Sequence, residues 1–126
     1  MSQYTHSQIK AVLLRARTLL ADPNNWTRYA QRRGKSGIHP ARDSEDFAYC
    51  LIGAINQATN VFGNNPLIER SDALSREAQL SLRSVIGRNI DRFNDDRTTT
   101  HAMVVTKLDS AIQREERLAK QDGSAR

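Results

Sequence analysis

The chain has 126 residues, enough for one domain with its own hydrophobic core. One cysteine and three scattered histidines exclude an internal disulfide framework and give no clustered metal-ligand spacing. The net charge of +5 has a single source: Arg28, Arg32, Arg33, Lys35 and Arg42 stand together, no acid lies between Asp22 and Asp43, and the other 14 basic residues match 14 acidic ones.

Taken in order, a polar lead at residues 1–6 has no basic n-region or apolar h-region, so the expectation is a cytoplasmic protein with no membrane contact. Thr5 followed by Gln8 fits a capping box, with Ser7 as a competing cap. Ile9, Val12, Leu13, Ala16, Leu19 and Leu20 share one face at helical spacing, which predicts a first helix to about Ala21. Asp22-Pro23 stops it, because a residue before proline is pushed out of the α region. Residues 24–43 read as a long basic loop. Trp26 is its anchor, with an indole N–H that wants a partner, and Gly34, Gly37 and Pro40 argue against regular structure.

Phe47 to Phe62 is the most apolar stretch. Capped by Ser44 and closed by Gly63, it predicts a central buried helix whose Gly53, Ala54 and Ala58 allow close approach of another helix. Ser71 or Asp72 caps a third helix, with a continuous stripe of Leu74, Ala78, Leu82, Val85, Ile86, Ile90 and Phe93 and with Gly87 as a kink. Asn94-Asp95-Asp96 breaks it. One of Thr98 to Thr100 caps a fourth helix with Met103, Val104, Leu108, Ala111 and Ile112 as its apolar side. Gln113 to Lys120 carries that helix into solvent, and residues 121–126 are frayed. The fold class is thus all-α: a single domain over 1–126, core 7–119, of about four helices around a central apolar one, with no strands.

Trp26, the Cys50-Leu51-Ile52-Gly53-Ala54 helix, and Phe93-Asn94-Asp95 followed by Arg97-Thr98 together resemble an uncharacterised family of short helical proteins found mostly in actinobacteria and their phages. Members of that family have Trp-Asn-Asp where this chain has Phe93-Asn94-Asp95. The resemblance spans roughly Ile9 to Ile112. It implies the helical fold and carries no activity with it.

Four groups of residues bear on chemistry. Cys50 as a nucleophile needs an exposed thiolate and a nearby base, and its apolar neighbours favour a buried hydrophobe instead. Asn94, Asp95 and Asp96 lack the alternating oxygens of a calcium loop and read first as helix punctuation, with Asn94, Asp95 and His101 as the residues of any pocket. His101, in the first turn of a helix, reads as a neutral surface ring, and His39 as a solvated loop residue. Arg28, Arg32, Arg33, Lys35 and Arg42 form the strongest signal. Arginine forks match phosphate geometry, and Trp26 or Tyr29 offers a ring for stacking on a base.

No catalytic constellation and no cofactor motif is present, and no helix-turn-helix, zinc finger or RNA-binding aromatic motif. The function expected is a non-enzymatic helical binding module whose basic loop meets an acidic protein or a nucleic acid, with a homodimer through the small-residue face as an option. The alternatives are a nucleic-acid-binding accessory protein, and a nucleotide- or small-anion-binding protein or enzyme with a site near Trp26 and Asp95.

Overall fold

The structure is a computed structural model that describes residues 3–34 and 47–121. Lys35, His39, Arg42 and the expected cap at Ser44 lie outside the described residues, as do residues 122–126.

The first helix follows its local signals. Thr5 Oγ1 accepts the N–H of Gln8 while Gln8 Oε1 accepts that of Thr5, which closes the capping box and starts α1 at His6–Leu19. Asp22 then caps a short 3₁₀ turn, Pro23–Asn25. Ile9, Val12, Leu13, Ala16 and Leu20 are all buried, and α1 packs against three other helices.

The described part of the basic segment includes regular structure. Arg32–Gly34 forms a strand, β1, paired antiparallel with Phe47–Tyr49, β2, in the register Arg32 to Tyr49, Arg33 to Ala48 and Gly34 to Phe47. Two expectations are thereby corrected. Residues 24–43 are not free of regular structure, and Phe47 does not begin a helix. A short apolar run cannot be assigned to strand or helix by periodicity alone, and aromatic residues suit a pleated, buried surface. The fold is mostly helical with a small two-stranded sheet.

The helix proper is α2, Leu51–Ala58. Cys50 is its cap, its Sγ accepting the Gly53 N–H at 3.3 Å. It ends four residues before Phe62. Asn60, at φ 57, takes the left-handed position just past its end, and its amide clamps the next turn by donating to the carbonyls of Asn65 and Ile68. Gly63 is also left-handed, at φ 69, but lies beyond the helix.

Ser71 caps α3, Asp72–Ile86, and left-handed Gly87 ends it. Asn89 then caps a separate short helix, α4, Ile90–Asp95. The continuous stripe through Phe93 is therefore two helices, with Gly87 a terminator rather than a kink. Thr100 Oγ1 accepts the Met103 N–H at the start of α5, His101–Gln121. Met103 is 41% exposed and leaves the expected apolar side to Val104, Leu108, Ala111 and Ile112. The charged end of α5 does not simply project into water: Glu115 and Ala119 are each 1% exposed. Among the described residues there are five α-helices where about four are expected. Among the described residues no helix is long and apolar enough to cross a membrane.

Candidate functional site

The landmarks that are far apart in sequence meet around Asn94, which is fully buried. Its Oδ1 accepts the Trp26 indole N–H at 2.8 Å and the Leu51 backbone N–H at 3.0 Å. Its Nδ2 donates to the Thr27 carbonyl at 3.1 Å and to Asp95 Oδ1 at 2.9 Å. One side chain thus uses both faces of its amide to tie the segment after α1 to the first turn of α2 and the end of α4. Asn94 is a structural hub, which goes beyond helix punctuation.

Asp95 is held in the same way. Its Oδ1 also accepts the Tyr29 backbone N–H at 2.9 Å, and its carbonyl accepts the Tyr29 hydroxyl at 3.2 Å. Tyr29 sits at φ 68, in the left-handed region, and its double tether to Asp95 offsets part of that cost. The residue as a whole remains 71% exposed.

The guanidinium of Arg28 lies 4.5 Å from the centroid of the Trp26 ring and donates from Nη2 to the Thr99 carbonyl at 2.6 Å. His101 Nε2 donates to the Leu20 carbonyl at 2.6 Å, closing the C-terminal end of α1, and its ring is 6.3 Å from Trp26. His101 is therefore a part-buried joint between α5 and α1, not a surface ring. Trp26 is covered by Arg28, tethered by Asn94 and flanked by His101, so its indole serves the fold more than it offers a stacking platform.

Arg32 is similarly used. Its guanidinium lies 4.4 Å from the Phe47 ring and 4.5 Å from the Phe62 ring. Such cation–aromatic contacts strengthen when desolvated. Arg28 Nε and Arg32 Nη1 are buried with no hydrogen-bond partner. Of the three described bases in this segment, Arg33 alone is classed as exposed and reaches solvent from the middle of β1. It lines an open cleft of about 440 Å³ with Asp22, Asn24, Trp26, Thr27, Gly34 and Ala48.

Cys50 is 3% exposed, and burial pushes its thiol up to about 11, with the Gly53 N–H opposing part of that rise. The nearby Asp91 carboxyl is raised, first by burial and then by Asp95. Asp96 is lowered by the Thr98 backbone and hydroxyl donors, with Arg88 adding to it. No histidine is bonded to Cys50 among the described residues, so no thiolate–base pair is assembled there. Nor do the described residues hold a group of three or more His, Cys, Asp and Glu that could bind a metal ion.

Sequence reasoning missed a second polar cluster. Buried Glu115 accepts from His6 Nδ1 at 2.8 Å, from the Ser81 hydroxyl at 2.8 Å and from Arg114 Nη1 at 2.6 Å. The carboxylate stands between the serine and the histidine, whereas an activated nucleophile needs the histidine between the serine and the carboxylate. The only signal in the sequence is that position 115 continues the α5 face of Leu108, Ala111 and Ile112 at helical spacing.

Residues 5–114 match a family of unknown function, DUF6197, and the chain belongs to that family. Comparison with curated proteins and with solved structures gave no match.

Proposed function

We propose that this protein is a non-enzymatic helical binding module that meets an anionic partner through the Trp26–Gly34 segment. The observation that carries the reading is Arg33. It is exposed, it has no acidic partner among the described residues, and it stands at a cleft of mixed lining to which Asn24 and Thr27 add polar groups and Trp26 and Ala48 apolar ones. Arg28 and Arg32 support the same surface differently. Their charges are held against aromatic rings, where they add positive potential without being free to reach a ligand. The groups that acid–base or nucleophilic chemistry would need are spent on the fold: Asn94, Asp95 and His101 in backbone bonds, Cys50 as a helix cap.

The lone Trp26 borders the cleft and reports on it. The test is a tryptophan-fluorescence titration with polyglutamate and with short single- and double-stranded DNA, at low and at physiological salt, comparing the parent chain with Arg33→Glu. Anion binding that weakens about 10-fold or more in the variant supports the reading. If DNA is the preferred ligand, affinity falls steeply with salt as phosphate contacts release counterions, and the partner is a nucleic acid. Binding to none of these, or binding that Arg33→Glu leaves unchanged, ends it. Arg33 is the right single site, because replacing Arg28 or Arg32 would also remove packing on Trp26, Phe47 or Phe62.

A further inference from the structure

We propose that the outward face of α3 is a docking site for an acidic segment of another protein that carries one large apolar anchor. This surface shares no residue with the Trp26–Gly34 cleft and stands independently of the reading above.

Arg76, Leu80 and Arg83 are spaced i, i+4 and i+7, which puts them on one face of the helix, and all three are exposed. Leu80 is 59% exposed, at the centre of the row. Arg76 and Arg83 stand in no ion pair among the described residues, whereas Arg17, Arg70, Arg88 and Arg114 each meet a carboxylate. Asp72, one turn before Arg76, is already held by Arg70 at 3.1 Å. The helical rise sets the two unpaired guanidinium stems about 10 Å apart, with the leucine between them.

Beside this row lies a cleft of about 200 Å³, lined also by Ile52, Gln79, Asn89 and Ile90. Ile90 is buried, so the lining has an apolar component. Both amides are partly engaged. Gln79 Nε2 donates to Ser75 Oγ and Asn89 Oδ1 accepts the Arg92 N–H, which turns one polar atom of each toward structural bonds and leaves the other available. The volume falls below the usual range for a whole small-molecule ligand and suits a single inserted side chain. An apolar anchor in a pocket, with arginines around it, is the arrangement that concentrates binding energy in protein interfaces. A nucleic-acid backbone would use the two arginines and gain little from an exposed leucine between them.

The partner's chemistry follows by complementarity. It presents two or more carboxylates, spaced to reach Arg76 and Arg83, around one Phe, Leu, Ile or Trp that enters the cleft over Leu80.

The test uses the full chain to select from a display library of random 12-residue peptides. Enriched peptides and a short single-stranded DNA, each labelled with fluorescein, are then titrated against the parent chain, Arg76→Ala with Arg83→Ala, Leu80→Ser, and Arg33→Glu. The expected result is enrichment of acidic peptides with one apolar residue. Their affinity falls about 10-fold or more in the double variant and in Leu80→Ser, and is unchanged in Arg33→Glu. These are surface substitutions, and circular dichroism checks that each variant keeps its helix content. Failure to enrich, enrichment of peptides lacking acids, or affinities unchanged in the α3 variants overturns the proposal. So does single-stranded DNA that binds through Arg76 and Arg83 without regard to Leu80, which would give the face to nucleic acid.

Discussion

The carbonyl of Gln31 lies directly against Gly53. A Cβ built on that glycine would collide with the carbonyl oxygen and stand 2.5 Å from the carbonyl carbon. The same oxygen accepts the Cys50 N–H at 3.3 Å, so the residue leading into β1 is seated on the first turn of α2. The Gln31 side chain adds a second hold, Oε1 accepting Asn56 Nδ2 at 2.8 Å, and Asn56 in turn accepts the Ser75 hydroxyl at 2.6 Å. The glycine therefore makes room for backbone from the segment after α1, not for another helix.

Gly53→Ala separates two effects of opposite sign. Helix propensity alone would favour alanine, by at most the interior value of about 1 kcal/mol because Gly53 lies in the first turn of α2. Contact with rigid backbone forces β1 off α2, and overpacking of that kind costs about 1–3 kcal/mol or more. The net expectation is a loss of about 2 kcal/mol in urea unfolding, with an altered Trp26 emission because Gln31 and Trp26 belong to one segment. A variant as stable as the parent would show that the segment does not rest on α2.

The legible parts of the fold were those whose signals are local. The Thr5–Gln8 capping box, the Asp22-Pro23 stop, the Ser71 cap and the burial of Val12, Leu13 and Ala16 follow from spacing and short-range hydrogen bonding. Trp26 as an anchor in need of one partner was also legible, but not that the partner is Asn94, 68 residues away. The parts that were not legible depend on partners distant in sequence. Phe47–Tyr49 is a strand because Arg32–Gly34 lies beside it. Glu115 reads as a solvated charge until Ser81 and His6 are placed around it. At the candidate site, the cluster of bases is legible in the sequence, but not that aromatic rings hold Arg28 and Arg32.

Asn94→Ala tests the hub. It leaves the Trp26 indole N–H and the Leu51 N–H without their acceptor and the Thr27 carbonyl without a donor. Unsatisfied buried polar groups cost about 1–3 kcal/mol each, and the loss expected here is about 3 kcal/mol after partial relaxation. In a Trp26→Phe background the indole donor is already gone, so the same substitution costs about 1 kcal/mol less. Additive losses in that double-mutant cycle would show that the indole bond contributes nothing. Asn94→Asp is also destabilising: a carboxylate can accept both N–H groups but cannot donate to Thr27, and it would face Asp95.

Glu115 links α5 to α1 through His6 and to α3 through Ser81. Removing the carboxylate leaves a buried Ser81 hydroxyl without its acceptor and a part-buried Arg114 with only the long 3.4 Å bond to Ser81 Oγ. Glu115→Ala should cost about 3 kcal/mol in urea unfolding, at the lower end for breaking a buried pair because both nitrogen partners reach water. His6→Ala should cost about 1 kcal/mol or less, since the histidine side chain is 32% exposed. Equal effects would mean that the two residues act only as a pair, and that Ser81 and Arg114 add nothing.

The Cys50 thiol gives the chain an alkaline signature with a defined sign. An ordinary thiol value of 9.0 is raised to about 11 in the fold, chiefly by burial. Through that window the unfolded chain loses the proton while the folded chain keeps it, so the folded state binds more protons and stability falls as pH rises. Below the ordinary value both states are protonated and the contribution is fully present. Tyr49, also raised by burial, acts in the same direction. Cys50→Ser replaces the sulfur cap with a hydroxyl suited to the same position and removes the thiol's share of the pH dependence. Urea midpoints taken from about pH 8 to about pH 11 should therefore fall more steeply for the parent than for the variant. At about pH 8 the folded parent should react with iodoacetamide far more slowly than the urea-unfolded chain, because the thiolate is the attacking species. Rapid labelling of the folded chain, together with identical alkaline slopes, would mean that the thiol is open to solvent, and Cys50 would return as a candidate nucleophile.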